Sequence, residues 1–476
     1  MTAFSLEPSQ LAWCAELRAL AAGRLRPLAE KGEPGRVNRA LLTELGTLGL
    51  LPRLFTSGAL DLCLMRESLA HACTEAETAL ALQGLGAHPV HAHGTEAQRA
   101  RWLPRVSDGS AVAAFALSEP DAGSDAAALR LRAEPDAGRS GPGRPATGSP
   151  GRQRPPSPDD TTRAAAGHRA EVDPPVPDAG RPAGRGDAGS GAEAGASAAD
   201  AAWTVAGSPP GEARTRGGRG PAPIPVAADR DGRSGWRLTG EKCWISNAPE
   251  ADFYTVFART TPGAGARGVT AFLVPADRPG LTGTHLDMLS PHPIGALAFD
   301  AVPVTEDDVL GEPDRGFRVA MDTLNLFRPS VGAFAVGMAQ AALDAALAHT
   351  TDRGAFGGRL RDLQTVSHQV AEMALRTEAA RLMVYAAATA YDDSAPDVPR
   401  RAAMAKLLAT ETAQYVVDKA VQLHGARALR RGHLLEHLYR EVRAPRVYEG
   451  ASEVQRGIIA KELYRTLDAT TEEAGA

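Results

Sequence analysis

The chain has 476 residues, of which 43% are hydrophobic and 23% charged, with a formal net charge of −5. That is long enough for two or three domains and a sizeable core, in the composition range of a soluble globular protein. The slight acidity argues against nucleic acid or an anionic membrane as the main partner.

The N-terminal stretch MTAFSLEPSQLAW lacks the basic and then apolar pattern of a signal peptide. Cys14, Cys63, Cys73 and Cys243 form no C-x-x-C pair, and no histidine cluster has zinc spacing. No metal site is therefore expected, and a reducing, cytoplasmic location fits. Residues 1–112 read as an α-helical domain: Leu11, Cys14, Leu17 and Leu20 recur at near-helical spacing, and Asn38 is placed to cap a helix through Leu41, Leu42, Leu45 and Leu48. From 113 to 312 short β-rich runs such as TVFART and VTAFLVP alternate with Gly, Pro and Asp, which predicts a β domain.

Inside that domain, residues 135–235 are dominated by Gly, Pro, Ala, Arg, Asp and Ser, with too few apolar side chains to offset the entropy of ordering. A disordered insert is expected there, with Trp203 and Val205 hinting at one short ordered piece. Residues 313–466 are helical again, with a seam at Leu363, Val366, Val370, Met373, Thr377, Ala380 and Val384 and another helix marked by Met404, Leu408, Tyr415 and Val416. These predict a four-helix bundle followed by a flexible tail at 467–476. The apolar run Val331 to Ala348 is broken by Gln340 and Asp344, so it reads as a buried helix with no membrane insertion.

Chemistry gathers in a few segments. AAFALSEPDAGSDAAALR, residues 113–130, joins a strand to a tight turn whose hydroxyls and N–H groups suit the polar edge of a planar ligand. GEKCWISN places Trp244 beside Ser246 and Asn247; singly, Trp244 reads as core and Ser118 as a turn cap. VYEGASEVQR contains Glu449, which stands either as an acid favouring a helix dipole or as a base. SEVQ at 452–455 is a capping-box pattern that starts a helix at Ser452, and Glu453 in its first turn already serves the dipole.

Together these segments resemble the acyl-CoA dehydrogenase family, in LSEPDAGSD, WISN, VLGEPDRGFRVAM, DRGAFGGRLRDLQ and VYEGASEVQR, in that order. The resemblance implies an α+β multidomain fold: an N-terminal α-helical domain, a middle β-barrel domain carrying the insert, and a C-terminal four-helix bundle. It implies FAD as cofactor, a homotetramer or homodimer, an acyl-CoA substrate and an electron-transfer flavoprotein as acceptor. The implied reaction is α,β-dehydrogenation to the trans-2-enoyl-CoA, with Glu449 taking the α-proton and the β-hydride going to flavin N5. A carboxylate is a weak base in water, and substrate that excludes water would raise its pKa.

The resemblance assigns flavin-ring contacts to Phe115, Leu117, Ser118, Trp244 and Ser246. It assigns pyrophosphate and adenosine contacts, across a subunit interface, to Arg353, Phe356, Gln364, Gln422 and Gly425. Ser124, Arg328, Tyr448 and Gly450 would meet substrate, although Arg328 is equally read as an ion-paired helix residue. Some branches of the family carry their base just before this arginine, where Phe327 stands here.

Three features depart from the family pattern. Ala426 and Arg427 replace a glycine and its neighbour, Ala451 replaces a hydroxyl residue, and LPRLFTSGALDL stands as a shortened connection. Competing expectations are a carrier-protein-bound acyl thioester as substrate, an oxidase, or a catalytically idle scaffold. Because loop-closure entropy grows slowly with length, the insert is expected to be dispensable for the flavin. Deleting residues 140–230 should leave a yellow protein, checked by its visible absorption spectrum; a colourless product would contradict this.

Overall fold

The computed structural model describes residues 6–136 and 235–475. The insert expected at 135–235, with Trp203 and Val205, lies outside the described residues except at its ends.

The N-terminal region is helical: α1 Pro8–Leu20, α2 Arg26–Ala29, α3 Arg39–Thr47, α4 Leu50–Thr56, α5 Ala59–Ala72, α6 Thr74–His93 and α7 Glu96–Ser107. Asn38 caps α3 as expected, its Oδ1 accepting the Leu41 N–H at 3.0 Å. On α1, Cys14 and Leu17 are buried but Leu11 is exposed, because a strict three-residue spacing drifts off one face of a 3.6-residue helix. The LPRLFTSGALDL stretch is the helix α4 and the start of α5. Gly86 lets α6 approach the next strand, since a Cβ there would lie 2.6 Å from the Ala113 carbonyl carbon.

The β region comprises β1 Ala113–Ala116, β2 Arg132–Pro135, β3 Gly235–Ser246, β4 Phe253–Arg259, β5 Val269–Pro275, β6 Leu281–Leu286, β7 Ile294–Thr305 and β8 Val309–Leu310. They form one sheet in the order β6-β7-β3-β2-β4-β5-β8, with β1 pairing parallel to β4. The expected barrel is therefore corrected to an open sheet: among the described residues β6 and β8 end the path without pairing to each other. The two-residue β8 and the exposed Thr282–Thr284 run of β6 leave little ladder with which to close it. The insert falls between the antiparallel β2 and β3.

Along β3 the register shifts between Lys242 and Ile245. The irregularity turns Lys242 inward, wholly buried, and Trp244 outward, 48% exposed at φ 57°. Lys242 Nζ donates to Glu119 Oε1 at 2.8 Å and to the Leu117 carbonyl at 2.9 Å. The Glu119 carboxylate also accepts the N–H groups of Arg130 at 2.6 Å and Leu131 at 2.9 Å. One buried ion pair thus ties the 117–131 loop to the sheet.

The C-terminal region holds α8 Gly316–Asp352, a hairpin of β9 Gly354–Ala355 and β10 Gly358–Arg359, then α9 Gln364–Asp392, α10 Val398–His424, α11 Leu434–Glu441 and α12 Ser452–Gly475. Helix α8 is long and apolar enough to cross a membrane by length and composition, but 72% of its most apolar window is buried among its neighbours. Met373, Thr377, Ala380 and Val384 of the α9 seam are buried as expected. On α10 the expected marker Val416 is buried, whereas Leu408 is exposed and Ala402, Ala405, Ala409 and Ala413 make up much of the core face. Gly332 on α8 meets this alanine face, where a larger side chain would not fit. Helix α12 runs on to Gly475, through the region expected as a tail from 467.

Removing one member of a buried ion pair leaves the other unpaired. Lys242→Met is expected to lower stability by about 3–5 kcal/mol, read from denaturant unfolding. A change below about 1 kcal/mol would contradict that role.

Candidate active site

Two loops converge to form one half of the site. The Ser118 carbonyl accepts the Cys243 N–H at 3.0 Å, and Asn247 Nδ2 donates to the Ala113 carbonyl at 2.8 Å. Phe115, half-buried, lies 4.9 Å from the Phe257 ring, and Leu117 is buried. These bonds join the segment of Phe115, Leu117 and Ser118 to the segment of Trp244 and Ser246. Trp244 is no core residue: its indole is exposed beside half-buried Ser246. Lys242, Glu119 and Asn247 hold this arrangement; Asn247 was singled out in the WISN motif, but nothing in the sequence paired Lys242 with Glu119. A lysine and an aspartate-like acid near a turn look solvated until the fold buries them.

A second half gathers at the ends of three helices. Arg353 follows α8, Phe356 tops the β9–β10 hairpin at φ 51° and is 89% exposed, and Gln364 begins α9. Gln422 and Gly425 end α10, and Gly425 has φ 63° with open space where a Cβ would point. The His349 and His424 rings stack at 4.1 Å and so bring the α8 and α10 ends together. Arg427, at one of the departures from the family pattern, is exposed beside them and helps to depress the His349 pKa, after burial. Ser124 is exposed on its loop.

Glu449 sits on a left-handed turn, with φ 50° at Glu449 and 94° at Gly450. A non-glycine residue in that region is strained and needs support. Three donors supply it. Gln455 Nε2 donates to the carbonyls of Glu449 at 3.1 Å and Gly450 at 3.0 Å, Lys406 Nζ to Gly450 at 2.7 Å, and Arg328 Nε to Glu449 at 3.4 Å. The expected capping box is corrected in detail. The helix does start at Ser452, but the Ser452 hydroxyl donates to Glu411 Oε1 at 2.6 Å, while Gln455 serves the turn carbonyls.

The side chain of Glu449 is largely withdrawn from water, and its Oε2 is buried with no hydrogen-bond partner among the described residues. Burial pushes its pKa above the ordinary glutamate range, opposed by the charges of Arg66, Lys406 and Arg328 in that order. Burial likewise pushes Lys406 down to about 8. Among the described residues Arg328 makes no ion pair within 4.0 Å; burial depresses its pKa and Glu449 acts against that. Phe327, just before it, is buried and offers no carboxylate. Tyr448, the residue before Glu449, is partly exposed. Among the described residues no group of His, Cys, Asp and Glu could hold a metal ion.

The three domain models of one family match in sequence order: acyl-CoA dehydrogenase N-terminal domain at residues 7–110, middle domain at 216–302 and C-terminal domain at 314–464. The chain belongs to the acyl-CoA dehydrogenase family. It is 39% identical over 233 residues to a Mycobacterium tuberculosis protein named probable acyl-CoA dehydrogenase FadE25, covering 48% of this chain and 60% of that one. It is 41% identical over 234 residues to the human mitochondrial short-chain specific acyl-CoA dehydrogenase, covering 48% and 57%. The chain thus spans less than two thirds of the length of these relatives in either alignment. Its fold matches the structure of butyryl-CoA dehydrogenase from Megasphaera elsdenii with a TM-score of 0.72 at 25% identity, over 97% of this chain and 99% of that one.

A buried carboxylate destabilises the fold when ionised. A folded-state pKa raised above the unfolded value means that the folded protein binds the proton more tightly, so stability is lost as pH rises through that window. Glu449→Gln is therefore expected to melt at a higher temperature than the parent at neutral pH, with the gap closing below about pH 4.5, the ordinary glutamate range. A variant that melts lower at neutral pH would contradict the buried, unpaired carboxylate.

Proposed function

We propose that the protein catalyses FAD-dependent α,β-dehydrogenation of an acyl-CoA thioester, with Glu449 as the base. The observation that carries this reading is the buried, unpartnered Oε2 of Glu449 on a strained turn held by donors from three helices. A carboxylate left without a partner in such a place serves structure poorly and proton transfer well.

The residues present fit a flavin. An exposed indole at Trp244 offers a face for a flat ring, and Ser118 and Ser246 stand beside it as hydroxyl donors. The exposed Arg353, Phe356, Gln364 and Gln422, with the open space at Gly425, suit a pyrophosphate and adenosine. So exposed an aromatic as Phe356 supports a second copy of the chain completing that half, in a homodimer or homotetramer. Bound there, FAD would supply the hydride acceptor, and an electron-transfer flavoprotein is the proposed oxidant for the next turnover.

The chain's own residues do the rest. Oε2 of Glu449 takes the α-proton, and the turn fixes where that oxygen points. The α-carbon of a thioester is a weak acid, so developing charge at its carbonyl oxygen needs hydrogen-bond donors fixed in advance. Val447 and Tyr448 both donate to the Ala444 carbonyl. The next N–H, that of Glu449, takes no backbone acceptor among the described residues and suits that oxygen. Substrate in the cleft excludes water and brings the carboxylate nearer to the operating pH. Ser124, Tyr448 and Gly450 line the approach, and Arg328 braces the turn from behind.

Anaerobic titration of the yellow protein with acyl-CoAs of graded length tests this. Bleaching of the flavin is expected with the parent, and Glu449→Gln should bind the same ligand yet lose at least about 1000-fold in reduction rate, since an amide takes no proton. A protein that free acyl-CoA does not bleach, but that a carrier-bound acyl thioester does, would move the substrate assignment. A protein that purifies without flavin and takes up none would overturn the reading.

A further inference from the structure

A buried pair of charges, bonded to the stretch of α8 that braces the Glu449 turn, is not used by the reaction above. Arg66 on α5 is 3% exposed and Glu77 on α6 wholly buried, and the Arg66 Nε makes an ion pair with Glu77 Oε1. Arg66 Nη1 donates to the Ser330 hydroxyl at 2.7 Å, and that hydroxyl donates to the Phe327 carbonyl at 2.7 Å. The guanidinium is thereby pinned to the stretch of α8 that carries Arg328, which reaches the Glu449 carbonyl. Of the five guanidinium donors, the described hydrogen bonds use Nε and Nη1.

A buried ion pair adds little stability against apolar side chains of equal volume. Its bonding to the helix segment that braces the base's turn therefore calls for another account. Among the cations acting on Glu449, Arg66 acts most strongly, ahead of Lys406 and Arg328. Charges around the turn come from several elements: Arg66 from α5, Arg328 from α8 and Lys406 from α10 act on Glu449, while Glu77 from α6, Glu411 from α10 and Glu453 from α12 act on its neighbours. The pair of His292 and Glu441, at 2.5 Å, lies beyond Tyr448 and bears on Glu77 and Tyr448. Of these, Glu77 alone is bonded to the same guanidinium that attracts the base.

We propose that Arg66 and Glu77 are positioning residues for the base: Glu77 competes with the Glu449 carboxylate for the Arg66 guanidinium and so keeps that carboxylate reactive toward a proton. This inference rests on Glu449 being the base. A bare cation beside the carboxylate would hold it ionised and a poor proton acceptor. With no cation at all, burial alone would favour the protonated form of the carboxylate. The pair sets the point between these extremes, and it does so without touching the substrate.

The test is an infrared titration of the flavin-loaded protein without substrate, taken as the difference between each variant and the same variant carrying Glu449→Gln, which isolates the carboxyl at 449. Glu77→Gln is expected to shift its midpoint down by about one pH unit or more, and Arg66→Gln to shift it up by a similar amount. Arg66→Lys should lie close to the parent, and the double variant between the two singles. Should Arg66→Gln fail to fold, Glu77→Gln, which keeps the side-chain volume, decides alone. Shifts in the same direction, or none in variants that melt like the parent, would overturn the proposal. Bleaching of the parent by acyl-CoA, measured in parallel, judges the base assignment separately, because the infrared midpoint needs no turnover.

Discussion

The carbonyl oxygens of Glu449 and Gly450 are the point on which the site depends. Both face inward from a left-handed turn, and both are satisfied by side chains that come from elsewhere: Gln455 from α12, Lys406 from α10 and Arg328 from α8. Buried carbonyls left without donors would cost about 1–3 kcal/mol each, so the turn exists only because the bundle closes around it. The same closure withdraws the Glu449 carboxylate from water and brings three cations to bear on it. Support of the backbone and activation of the side chain are one act of packing.

The sheet solves a parallel problem. Its bulge in β3 sends two nearby residues in opposite directions, Lys242 into the core and Trp244 to the surface. The inward lysine is matched by Glu119, whose carboxylate also gathers two backbone N–H groups of the loop that bears Ser124. An exposed aromatic is thus presented from a rigid frame. Rigid frames of this kind fix a planar ligand better than a loop does.

Motif spacing carried the sequence reading a long way. Glu449 was marked because Glu453 already served the helix dipole, and Phe327 because it occupies a position where a second base would stand. Arg353, Phe356, Gln364, Gln422 and Gly425, which only the family resemblance singled out, lie at or near the ends of α8, α9 and α10. The charged partners were not visible. Arg66, Glu77 and Lys406 sit inside helices, where an isolated charge reads as solvated, and only the packing of neighbouring helices buries them. The alanine face of α10 escaped for a related reason: small residues do not stand out in a hydrophobic pattern, yet they let α8 approach closely.

By itself the sequence determined the order of helical, β and helical regions and the caps and turns that bound them. These are local matters, set by periodicity and by the backbone preferences of a few residue types. Its motifs marked the residues apt for chemistry only through their resemblance to a family. The tertiary structure decided that the sheet stays open, that Trp244 faces outward and that Lys242 pairs with Glu119. It also decided which charges surround Glu449. Those outcomes follow from burial, and whether a group is buried depends on segments hundreds of residues apart, which no local pattern encodes.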